Sequence, residues 1–154
     1  MEQSKYYTPD IQEFKIGFEC EFFNNMQDKQ WNKVICDQDH IGIAYTCFEE
    51  GTKEWEDDIS QTFRVKYLDD KDIEECGFTT DAGEIPSKFN YYKLLPDKTI
   101  YQISPYWHMY HTKRENLVRI YKGMLHEYPY TEIFRGDIKN KSELKVLLKQ
   151  LGIE

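Results

Sequence analysis

The stretch PYWHMYHTKR, residues 105 to 114, holds the densest mixture of aromatic, imidazole and basic groups in the chain. On strand geometry successive side chains alternate, so Tyr106, His108 and Tyr110 share one face and Trp107, Met109 and His111 the other. Flat rings on one face form a platform on which a base can stack, worth roughly 1–3 kcal/mol per base. Lys113, Arg114 and Arg119 follow closely enough to meet the phosphates of such a ligand. The expected ligand-binding set is therefore Tyr106, His108, Tyr110, Lys113, Arg114 and Arg119. An ordinary sheet surface that buries Trp107 and Met109 produces the same pattern. His108 and His111 point to opposite faces of a strand, so their spacing is not a zinc site there.

A second constellation is carboxylate-rich. Glu19 and Glu21 share one face of a strand, with Cα atoms roughly 6.5 Å apart by strand rise. If Asp37, Asp39 and His40 fold back across a hairpin, the five groups offer oxygen and nitrogen ligands to a metal, the basis of a metal-assisted hydrolase. Adjacent acids on the wet face of an antiparallel strand are ordinary, and the DQDH segment reads more simply as a turn, so no metal is expected. The sequence has no phosphate-cradling glycine loop, G-x-S-x-G elbow or H-E-x-x-H pair, and we expect no cofactor. Cys20, Cys36, Cys47 and Cys76 form no C-x-x-C pair and read as free buried thiols. Lys141, Lys145 and Lys149 recur every four residues and, with Lys139, give the last segment a basic rim. A pI near 5.1 argues against affinity for duplex nucleic acid.

The elements that must position these groups are well punctuated in the middle of the chain. In FRVKYLDDKDIEECGF, residues 63 to 78, Val65 and Tyr67 alternate with Arg64 and Lys66 as a half-buried strand. Asp69 falls at an N-cap, Leu68 and Ile73 at the spacing of a hydrophobic staple, and Gly77-Phe78 at a left-handed ending. Asn140 with Glu143, the stripe Leu144, Leu147, Leu148 and Leu151, and Gly152-Ile153 mark a second helix. Helices are thus expected over about 69–76 and 141–151. Thr8-Pro9 suggests a helical start running through Ile11. In FKIGFECEF, Phe14, Ile16, Phe18, Cys20 and Phe22 take one face of a strand and Lys15, Gly17, Glu19 and Glu21 the other. Trp31 to Ile35 is its hairpin partner. From Cys36 to Gln61 the pattern weakens, with Trp55 and Ile59 spaced for a short helix. Strands are expected over 89–95, 99–104, 106–111, 117–121 and 131–138, with a turn at Pro96-Asp97-Lys98 and a loop around Pro129. No strand–helix–strand rhythm repeats, so the fold class is α+β, an antiparallel β-meander with two short flanking helices.

At 154 residues the chain has the length of a single domain, 1–154. No apolar run is long enough to span a bilayer and the N-terminus lacks a signal-peptide core, so the expected location is the cytoplasm. Its net charge of −8 divides unevenly, −12 over residues 1–88 and +4 over 89–154, so the second part is the one suited to an anionic partner.

The blocks YTPDIQEFKIGFECEF, RVKYLDDKDIEECGF and FRGDIKNKSELKVLLKQLGI, about a third of the chain, resemble small proteins of tailed phages and of the gut bacteria they infect. That resemblance brings no catalytic residues with it. It implies a phage or mobile-element accessory protein acting inside the host cell, a class that includes proteins which counteract host defence. The expected function is non-enzymatic binding of a host protein or of a small anionic, nucleotide-like ligand. The alternatives are the metal-assisted hydrolase and a virion or assembly component, which a large exposed apolar patch would favour.

Overall fold

The structure, a computed structural model, describes residues 5–23, 29–49, 59–81, 89–106 and 116–153. The chain gathers into two compact units, Met1–Tyr67 and Leu68–Glu154. Each carries an antiparallel four-stranded sheet, and the fold is α+β.

In the first unit β1 (Tyr6–Tyr7), β2 (Glu19–Phe23), β3 (Trp31–Ile35) and β4 (Phe63–Lys66) lie in the order β1-β4-β2-β3. The β2–β3 hairpin pairs Glu19 with Ile35 and Phe23 with Trp31. Phe14, Phe18, Cys20, Cys36, Ala44, Ile59, Phe63 and Val65 form the core, with the Phe14 ring edge-on to Phe63 at 4.9 Å. Two expectations at the start of the chain fail. The helical turn is a 3-10 turn, Ile11–Glu13, capped by Asp10 in a reciprocal box with Glu13 and not by Thr8. Ile16 does not join the apolar face. Gly17, at φ +87°, turns the backbone ahead of β2, so the strand begins only at Glu19 and Ile16 stands 71% exposed.

A helix that the pattern of residues did not announce, α1 (Gln38–Glu49), follows β3. Asp37 caps it by accepting from the His40 N–H at 3.0 Å, so DQDH is a helix start and not a free-standing turn. Ile41, Ala44 and Phe48 supply its core-facing stripe. Of the helix expected around Trp55 and Ile59, residues 59–62 are helical with Ile59 buried, while Trp55 lies outside the described residues.

The second unit opens on α2 (Asp70–Glu75). Asp69 and Asp72 cap it reciprocally, Leu68 and Ile73 are buried, and Gly77 ends it at φ +86°. β5 (Tyr91–Leu94), β6 (Thr99–Pro105), β7 (Leu117–Met124) and β8 (Glu127–Asp137) follow in sequence order across the sheet, a meander. Lys98 at φ +69° and the Asp97 carboxylate, which accepts from the Thr99 N–H, close the β5–β6 turn. The loop expected around Pro129 is strand instead: β7 and β8 meet at Leu125-His126, and β8 already runs at Glu127. The strand expected over 106–111 has only Tyr106 among the described residues, and it follows the end of β6 in a 3-10 position.

The chain closes on α3 (Lys141–Gln150), capped by Asn140 and ended by Gly152 at φ +69°, with the Ile153 N–H donating to the Leu148 carbonyl. Leu144 and Leu148 pack with Ile73, Tyr101, Ile103, Val118 and Ile120 in one core. Lys141, first of the basic row, pairs with Glu75.

Candidate functional site

The meander sorts its side chains by alternation. Val118 and Ile120 of β7 enter the core, and so Arg119 and Tyr121 stand on the opposite face. Register then decides their neighbours. Arg119 lies opposite Ser104 on one side and Arg135 on the other, and Tyr121 lies opposite Gln102 and, past an irregularity in the β7–β8 register, Glu132. Residues spread over more than thirty positions of sequence are thereby assembled on one surface.

Arg119 is the centre of this group. Its Nη2 donates to the Tyr106 hydroxyl at 2.5 Å, and the guanidinium lies 4.8 Å from the Tyr106 ring centroid. A hydrogen bond to Tyr121, followed by the nearby tyrosine oxygens and Glu132, raises its pKa above the usual guanidinium value. The Nε atom, in contrast, is buried and has no hydrogen-bond partner among the described residues. It forms a long ion pair with Glu132, whose Oε2 is 3.9 Å away. That carboxylate is already engaged. Arg135 grips it with both Nε, at 3.0 Å, and Nη2, at 3.1 Å, and these bonds hold the Glu132 carboxyl below its usual range. Beside them Gln102 donates to Ser104 at 2.8 Å, and Ser104 donates to Asn90 at 2.6 Å.

The electrostatics follow from the count of groups. Two guanidinium groups sit on directly opposed residues, an arrangement that costs stability in a sheet, and one carboxylate stands between them. The cluster carries one excess positive charge in a chain whose net charge is −8. Neutral donors border it, and one Arg119 N–H lacks a hydrogen-bond partner among the described residues.

The expected ligand-binding residues meet this geometry in part. Tyr106 and Arg119 are brought into contact, whereas His108, Tyr110, Lys113 and Arg114 lie outside the described residues. Tyr121, Glu132 and Arg135 escaped the sequence reading, although the strands that hold them did not. The usable signal was alternation along Leu117 to Tyr121, which fixes the outward face, but the β8 partner depends on a register shift that no local motif writes.

The carboxylate constellation is not assembled. Glu21 accepts from Arg64 Nε at 2.7 Å and Nη2 at 2.6 Å, and Arg64 is itself held between the Tyr6 and Trp31 rings, 4.0 and 4.1 Å from their centroids. Asp37 is committed to the start of α1, and the His40 N–H and ring hold its carboxyl below the usual range. Among the described residues no group of three or more His, Cys, Asp or Glu could hold a metal ion, so Glu19, Glu21, Asp37, Asp39 and His40 do not form one site. Nor, among those residues, is any helix long and apolar enough to cross a membrane. No family model matches the chain, and no curated protein or solved structure matches it either.

Proposed function

We propose that the chain is a non-enzymatic binding module, a phage or mobile-element accessory protein of the host cytoplasm, and that its ligand is a small nucleotide-like anion held at Arg119. The observation that carries this reading is the guanidinium pair Arg119–Arg135 sharing one carboxylate, with the Arg119 Nε buried and without a hydrogen-bond partner among the described residues. A phosphate oxygen accepts from such a group through a charge-assisted bond, and Tyr106 offers a ring beside it. The phage context rests on the three sequence blocks alone, and with it the idea that the module counteracts host defence by sequestering a messenger. Neither a metal nor a cofactor enters the account.

Calorimetric titration of the purified protein with linear and cyclic nucleotides and with inorganic pyrophosphate tests the proposal. At least one of these should bind, with affinity falling as salt rises, and Arg119→Gln should weaken it about tenfold or more. Silence across the whole panel, or an Arg119→Gln variant that binds like the parent, overturns it.

A further inference from the structure

We propose that Cys20 and Cys36 are a redox-active dithiol, which a peroxide closes into an intramolecular disulfide. This inference concerns the first unit and is independent of the anion site. Cys20 pairs across the hairpin with Val34, and Cys36 lies two residues beyond Val34, so both thiols share the core-facing side of the sheet. Their Sγ atoms are 3.5 Å apart and hydrogen-bonded. A disulfide needs about 2.05 Å, so the two sulfurs must close by roughly 1.5 Å. The other two thiols differ: Cys47 and Cys76 are half-buried in separate units.

The shared hydrogen bond, for which either sulfur can be the donor, raises the Cys20 thiol, as does burial, and lowers the Cys36 thiol. Cys36 is taken as the attacking thiolate. Its sulfur takes one oxygen of hydrogen peroxide as the O–O bond breaks, and the departing hydroxide is protonated to water. Cys20 then attacks the sulfenic sulfur of Cys36, the S–S bond forms, and a second water leaves. Two electrons from the two sulfurs have reduced one peroxide to two waters. Since Cys36 directly precedes the cap residue of α1, the closed bond ties the start of β2 to the start of that helix.

The test is oxidation of the native protein with stoichiometric hydrogen peroxide, followed by alkylation under denaturing conditions and peptide mass spectrometry. The expected product lacks two hydrogens and carries one linked peptide pair, Cys20 with Cys36, which dithiothreitol reverses. Cys47 and Cys76 should be alkylated throughout. The double variant Cys47→Ser/Cys76→Ser keeps the pair intact and should give the same linkage at the same rate, which makes the test independent of whether Cys20→Ser or Cys36→Ser folds. Full alkylation of Cys20 and Cys36 after peroxide, sulfinic acid on Cys36 without linkage, or bridging only between chains would each overturn the proposal.

Discussion

Truncating Leu144 to alanine probes how α3 holds the meander in place. The side chain is fully buried, 0% exposed, in the cluster that contains Ile73, Tyr101, Ile103, Val118 and Ile120. Removing its three outer carbons forfeits about 0.8 kcal/mol each, roughly 2.4 kcal/mol of transfer free energy. Strand residues of a paired sheet line much of the site and cannot collapse freely, so a cavity contribution adds to this, and the expected loss is about 3–4 kcal/mol. Set against a domain stability of roughly 5–15 kcal/mol, that is a large fraction. Val146 in the same helix is the internal control, since it is 46% exposed and its truncation should change stability by less than about 0.5 kcal/mol. Urea denaturation followed by circular dichroism reads both variants as shifts in midpoint at constant slope. If Leu144→Ala shifts the midpoint no further than Val146→Ala, α3 does not pack as described and the core assignment is wrong.

Further expectations concern the hairpin and the acids. A Cβ on Gly123 would stand within 3.0 Å of the Tyr130 ring, so Gly123→Ala must displace that ring and should cost about 1–3 kcal/mol in the same urea assay; a neutral result would show that the ring does not lie there. Asp97, held by the Thr99 N–H, and Glu132, held by Arg135, both have folded pKa values below their ordinary ones. Their unfolded forms bind protons first, so the stability they contribute is complete above the ordinary carboxylate range near pH 4 and is lost as pH falls through the lower folded values. Urea midpoints measured from pH 7 to pH 3 should therefore decline at the acid end, and a flat profile would contradict both assignments.

Much of the second unit was legible because its ends are written locally. Asp69, Gly77, Asn140 and Gly152 each need only neighbours within one helical turn, and all four stand where the spacing put them. The first unit was harder for physical reasons. Gly17 allowed a turn inside what read as uninterrupted alternation, and a period of two cannot register a left-handed residue on its own. α1 was hidden because glycine, isoleucine, tyrosine and threonine within IGIAYTCF are modest helix formers; its stability comes from burying Ala44 and Phe48, a tertiary effect. The candidate site was half visible for a related reason. Arg119 and its outward face follow from alternation, but Arg135 and Glu132 arrive through strand register, which is fixed by the sheet as a whole.

The central claim is that one unsatisfied guanidinium donor and one excess positive charge create the recognition site around Arg119. Substituting the two partners of opposite sign tests it most directly, by titrating pyrophosphate into the Arg119→Gln and Glu132→Gln variants under identical low-salt conditions. The account predicts opposite outcomes: weaker binding without the Arg119 guanidinium, and tighter binding once the competing Glu132 carboxylate is neutral. If both substitutions leave the affinity unchanged, or both shift it in the same direction, the cluster is only a structural ion pair and the site lies elsewhere.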